Sequence, residues 1–156
     1  MSTAESPAKS NRTQIVLYLV MSVALVLGIW IRLLGAGWFL VCLGLPLILI
    51  AILHLMFQIS AIRRISKMKP SYIPLILLSN LFFFLGFSLQ IDFGDQGGGY
   101  LAIVAFYDFY FNSEARSYVN GNTYLYLFIS LGFLVALIVS WILLLGKLFI
   151  KQKNSI

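Results

Sequence analysis

Cysteine is all but missing from this chain. Cys42 stands alone among 156 residues, so no intrachain disulfide can form and no cysteine cluster can hold zinc or an iron–sulfur centre. Within its apolar run, Cys42 reads as a small buried hydrophobe. Histidine is equally scarce: His54 is single, which removes bis-histidine haem ligation. Acids number five, and none pairs with another inside an apolar run as the carboxylates of ion pumps do. No P-loop, HExxH or GxSxG pattern occurs. The chain is expected to carry no cofactor, to bind no metal and to lack a catalytic set.

Charge of either sign is sparse. Charged residues make up 10% of the chain and hydrophobic ones 61%, with a mean hydropathy of +0.97. Soluble domains hold about 25% charged residues, which places this chain in a bilayer. Apolar runs of about 20 residues match the roughly 30 Å of hydrocarbon that a helix rising 1.5 Å per residue crosses. The expected fold is an all-α integral membrane protein: a four-helix transmembrane bundle of two antiparallel hairpins, with a short interfacial or re-entrant segment in the second outer loop.

The few charges that are present are arranged one-sidedly. Nine of the eleven Lys and Arg residues form three clusters: Lys9 and Arg12; Arg63, Arg64, Lys67 and Lys69; and Lys147, Lys151 and Lys153. Four of the five acids, Asp92, Asp95, Asp108 and Glu114, share one loop. The excess of positive charge on cytoplasmic loops puts both termini and the 62–70 loop in the cytoplasm of a plasma membrane, the inner membrane in a bacterium. Because the basic residues flank spans and form no continuous face, nucleic acid is not an expected partner.

Residues 1–13 are small and polar and read as a disordered tail. The spans follow at about 14–34, 38–61, 71–91 and 123–146, with an inner basic loop at 62–70, an outer loop at 92–122 and a basic tail at 148–156. The first apolar run exceeds the 7 to 15 residues of a signal-peptide core. Gly35-Ala36-Gly37 turns the chain back on itself, Pro46 is expected to kink the second span, and Pro70 and Pro74 suit the start of the third. The short first outer loop and longer second one are similar to the layout of tetraspanins and claudins, whose outer loops carry cysteine motifs. Residues 92–122 hold none, so no family is assigned.

Polar residues inside spans are costly and should face protein. In the second span Gly44, Leu47, Ala51, His54, Gln58 and Ala61 follow 3,4 spacing and share one face. A matching stripe in the first span is Tyr18, Ser22, Leu25, Ile29 and Arg32. Helical rise places Ser22, His54, Ser79, Asn80 and Ser140 roughly 9 to 13 Å from the cytoplasmic edge, a common polar layer with Gln58 beside it. Its structural reading is interhelical hydrogen bonding; its functional reading is a proton or solute pathway. Gly132, Ala136 and Ser140 form a small-xxx-small stripe in the last span, and Ala24 and Gly28 are its expected partners unless the stripe meets another subunit. Arg32 lies close in depth to Asp92 and is expected either to pair with it or to snorkel to lipid phosphate. Arg63, Arg64, Lys67 and Lys69 are expected to meet anionic lipid headgroups.

The outer loop is more aromatic than a solvated connector. Tyr100, Phe106, Tyr107, Asp108, Phe109, Tyr110 and Phe111 fall within twelve residues, too few to span. They form either an interfacial segment, helix or hairpin, or a docking surface. The function that follows is an accessory, assembly or protective subunit acting on another membrane protein, or on a second copy, through this loop and the helix faces. A small oligomeric transporter or channel subunit built around His54 is the alternative, and a lipid-modifying membrane enzyme is the remotest.

Overall fold

The computed structural model describes residues 7–34, 38–65, 72–93, 99–111 and 123–153. They form α1 (Pro7–Leu34), α2 (Trp38–Arg63), α3 (Ile73–Ser88), strands β1 (Ile91–Phe93) and β2 (Gly99–Leu101), α4 (Ala102–Phe111) and α5 (Thr123–Lys153). Three stretches, Asn11–Leu34, Val41–Arg63 and Leu125–Gly146, are long and apolar enough to cross a membrane. This is a helical protein of membrane character. Its lateral surface agrees: Ile15, Leu19 and Val26 on α1, Val41, Leu45 and Ile52 on α2, and Phe128, Val135 and Ile142 on α5 are all exposed. Apolar faces of that extent call for lipid.

Helix ends depart from expectation in three places. α1 begins at Pro7, so residues 7–13 are helical where a disordered tail was expected; proline suits the first helical position because its missing N–H has no partner there. α5 continues to Lys153, through most of the expected basic tail. α3 is 16 residues long, about 24 Å, where a span from 71 to 91 was expected. It starts with Pro74 in its first turn and stops at Leu89, whose N–H bonds Leu85 O at 2.9 Å. α2 runs unbroken through Pro46.

Nor is the chain purely helical. After α3 the backbone extends into β1, which pairs antiparallel with β2 in the register Ile91↔Leu101, Asp92↔Tyr100 and Phe93↔Gly99. The Ala102 N–H bonds Gln90 O at 2.9 Å and closes this ribbon directly into α4. Ile91 and Leu101 are buried against Tyr126 and Leu127 of α5, so the ribbon caps one end of the bundle. The described part of the aromatic loop is therefore an antiparallel strand pair followed by a helix.

α3 is the central element, packing most extensively on α1 and on α5. Two apolar clusters stack along the bundle. Leu17, Met21, Ala61, Ile62, Ile76 and Leu144 form one, and Leu47, Ala51, Phe83, Phe87, Leu137 and Trp141 the other. Between them, on α2 and α3, lie His54, Gln58, Ser79 and Asn80.

The close approaches lie elsewhere than the expected small-residue stripe. Gly28 of α1 meets α3, where an added Cβ would stand 3.3 Å from Phe83. Gly86, in the run FFFLGFS, meets α5, where a Cβ would stand 2.8 Å from Leu134 Cδ2. Around Gly132 nothing lies within 4 Å, while Ala24 and Ala136 are half-buried. The expected pairing of Ala24 and Gly28 with Gly132 and Ala136 gives way because α3 presents its face to both partners. Cys42 is exposed rather than buried.

Candidate functional site: a directed polar relay

His54 and Gln58 lie one turn apart on α2, and Ser79 and Asn80 are adjacent on α3. All four are at most 1% exposed. Uncompensated, such groups would cost several kcal/mol in hydrocarbon, so their partners decide what the layer does.

The partners form a chain with one direction. Trp141 Nε1 of α5 lies 3.2 Å from His54 Nδ1. An indole N–H only donates, so Nδ1 accepts and the ring proton sits on Nε2. That Nε2–H faces Asn80 Oδ1 at 3.2 Å. The Asn80 amide donates to Gln58 Oε1 at 3.2 Å and to Ile76 O at 2.8 Å, and Gln58 Nε2 donates to Ser79 Oγ at 2.9 Å. Reading from donor to acceptor, the relay runs Trp141, His54, Asn80, Gln58, Ser79. It crosses between α5, α2 and α3, and a single assignment of protons satisfies it.

Aromatic rings wall it in. The His54 imidazole stacks on Phe83 with centroids 4.4 Å apart and planes 6° apart. Phe83 stacks on Phe87 at 4.3 Å, and Phe57 lies 5.2 Å from Trp141. Four of the relay's bonds join different helices. Interhelical hydrogen bonds in membranes average about 0.6 kcal/mol, which makes the set worth roughly 2–3 kcal/mol. Chemically it holds neutral donors and acceptors in mutual use, with no carboxylate among them. Among the described residues no three His, Cys, Asp or Glu side chains gather to hold a metal ion.

Of the layer expected from sequence, His54, Gln58, Ser79 and Asn80 come together. Ser22 does not: it is exposed on α1, whose buried face carries Leu17, Met21, Gly28, Ile31 and Arg32. Of its expected stripe of Tyr18, Ser22, Leu25, Ile29 and Arg32, Arg32 is buried and Tyr18, Leu25 and Ile29 are partly buried, so Ser22 is the member that departs, on a helix apolar on both sides. Ser140 is buried but turns back to bond Leu137 O of its own helix at 2.6 Å. Trp141, one residue on, takes the place expected of it. Its nearness to the end of an apolar run is typical of belt tryptophans, which hid that role.

The other expected sites divide. Arg32 is buried at 2% exposure and keeps an interaction within the protein. The side chain of Asp92, its expected ion-pair partner, lies outside the described residues. Arg63 and Arg64 are exposed at the end of α2, and Lys67 and Lys69 lie outside the described residues. In α4, Tyr107 is 50% exposed, Phe109 67% and Tyr110 50%. Phe106 is half-buried against Tyr110, with centroids 4.8 Å apart. Tyr110 Oη also accepts from Trp30 Nε1 at 3.2 Å, tying α4 to α1. Tyr100 belongs to β2; its side chain and those of Asp108 and Phe111 lie outside the described residues.

Compared with protein families, curated proteins and solved structures, the chain finds no match.

Proposed function

We propose that this chain is a four-span membrane protein that acts without catalysis, as an accessory, assembly or protective subunit docking through α4. The spans would be α1, α2, α3 with the residues leading into it, and α5, with both termini cytoplasmic in a plasma membrane or bacterial inner membrane. The one-sided basic clusters support that orientation. α3 is shorter than the roughly 30 Å of hydrocarbon and exposes Leu77, Leu78 and Leu81, but Gly86, Phe87 and Ser88 at its C-terminal end are buried, and a short span is tolerated where protein rather than lipid surrounds an end.

The observation that carries the docking role is the exposed aromatic face of α4. Tyr107 and Phe109 stand out from a helix that is already anchored by the ribbon at one end and by the Trp30–Tyr110 bond near the other. Rigid, exposed aromatics of this kind supply hot spots in interfaces, because they bury large area at low entropic cost. The relay supports a structural role for the polar layer, since its groups bond one another across three helices. A pathway for protons or solutes would need groups left to serve a passenger.

A photoreactive phenylalanine analogue placed at Phe109, with Val135 on the lipid-facing side of α5 as control, tests the reading in native membranes. A discrete crosslinked membrane protein, or a second copy, at Phe109 but not Val135 is expected. Tyr107→Ala should abolish it, while Tyr107→Phe, which keeps the ring, should not. Crosslinking only to lipid would overturn the docking role.

A further inference from the structure

Between α1 and α2, away from the relay, lies a cavity of about 430 Å³ that opens sideways, toward the surface the two helices would present to lipid. Leu25 and Ile29 line it from α1, and Gly44, Ala51 and Leu55 from α2. Its one charged lining residue is Arg32, near the turn that joins the helices. We infer that this groove seats one acyl chain of an anionic phospholipid from the leaflet nearest that turn, with the headgroup phosphate on Arg32.

Three features support this occupant. From Gly44 to Leu55 the groove follows α2 for about 16 Å, close to the half-thickness of a bilayer core of roughly 30 Å. Its length is therefore that of about one acyl chain in a leaflet, with the cation toward the headgroup end. Gly44 leaves the groove open, because nothing lies within 4 Å of where its Cβ would be. Charge decides the head. A guanidinium that is 2% exposed at the edge of an otherwise apolar groove favours an anion, and its planar fork suits phosphate. Arg32 interacts with the protein as well. Five N–H donors let one guanidinium serve the protein and a phosphate together.

The test is native mass spectrometry of the full chain released from nanodiscs of phosphatidylcholine with added phosphatidylglycerol. Phosphatidylglycerol should be retained in preference to phosphatidylcholine. Losing a charge-assisted contact, Arg32→Gln should weaken that retention about tenfold and bring the two lipids level. Because Arg32 is buried and its loss can unfold the chain, Gly44→Leu gives an independent arm: its Cβ meets nothing within 4 Å, and its side chain, placed in the groove, should lower retention of phosphatidylglycerol while helicity stays intact. Equal retention of the two lipids by the wild type would overturn the assignment, as would indifference to Gly44→Leu. Displacement of phosphatidylglycerol by added palmitate would also overturn it, in favour of a free fatty acid. A dimer that Gly44→Leu dissociates would overturn it too, by placing a helix in the groove.

Discussion

Replacing Asn80 by leucine probes the relay at its hub. The two side chains are close in size, so the core keeps its volume and the change falls on hydrogen bonding. Two bonds between α2 and α3 disappear, from His54 Nε2 and to Gln58 Oε1, each 3.2 Å long. The bond to Ile76 O is internal to α3 and its loss matters less. Interhelical bonds in membranes average about 0.6 kcal/mol and reach about 1.7, which brackets two of them at about 1–3 kcal/mol. His54 and Gln58 stay at 0% exposure, so the orphaned N–H and carbonyl find no water, and the loss should lie in the upper half of that range. Equilibrium unfolding in mixed dodecylmaltoside and SDS micelles, followed by far-ultraviolet circular dichroism, measures it. The double variant His54→Phe with Asn80→Leu should cost less than the sum of the singles by about 1 kcal/mol, because each single removes the same bond. Ser22→Leu, on an exposed face of α1, should stay within about 0.5 kcal/mol of wild type. Asn80→Leu behaving like Ser22→Leu, or showing no coupling to His54, would refute the claim that this relay holds the helices together.

Two further outcomes follow from the same geometry. His54→Ala removes both ring hydrogen bonds and the stack on Phe83 and leaves a cavity, so it should lower stability by about 2–4 kcal/mol in the same unfolding assay; an unchanged melting temperature in detergent would count against a bonded, buried His54. The glycines should split by environment. Gly132→Ala gains helix propensity in open space and should stabilise by about 0.5–1 kcal/mol. Gly86→Ala drives a methyl against Leu134, and an overpacking cost of about 1–3 kcal/mol outweighs a propensity gain of about 1, so the same measurement should show net loss.

How much was legible depends on contrast within each helix. α2 is apolar except for its 3,4-spaced small and polar residues, and Leu47, Ala51, His54, Gln58 and Ala61 are all buried as that spacing implies. α1 and α5 offered no such contrast. On α1 Ser22 falls outside the inward face, and on α5 Gly132 looks outward while Leu137, Ser140, Trp141 and Leu144 turn in. Where every residue is apolar, a one-residue shift of phase costs little locally and periodicity cannot choose between faces. Gly86 was obscured by the phenylalanines around it, yet those bulky neighbours make it the place where α5 can approach α3.

From sequence alone came the membrane character of the chain, three apolar helices long enough to cross a membrane and the inward face of α2, because each follows from composition or spacing within one segment. Which groups meet was decided only by the tertiary structure. Trp141 rather than Ser140 completes the relay, Gly28 meets Phe83 rather than α5, and the aromatic loop closes as a ribbon leading into a helix. These choices depend on the rotation of each helix about its axis, and that rotation is set by the sum of contacts with all its neighbours. A hydrogen bond tolerates only a few tenths of an ångström, so partners across helices are fixed only once packing has set every phase together.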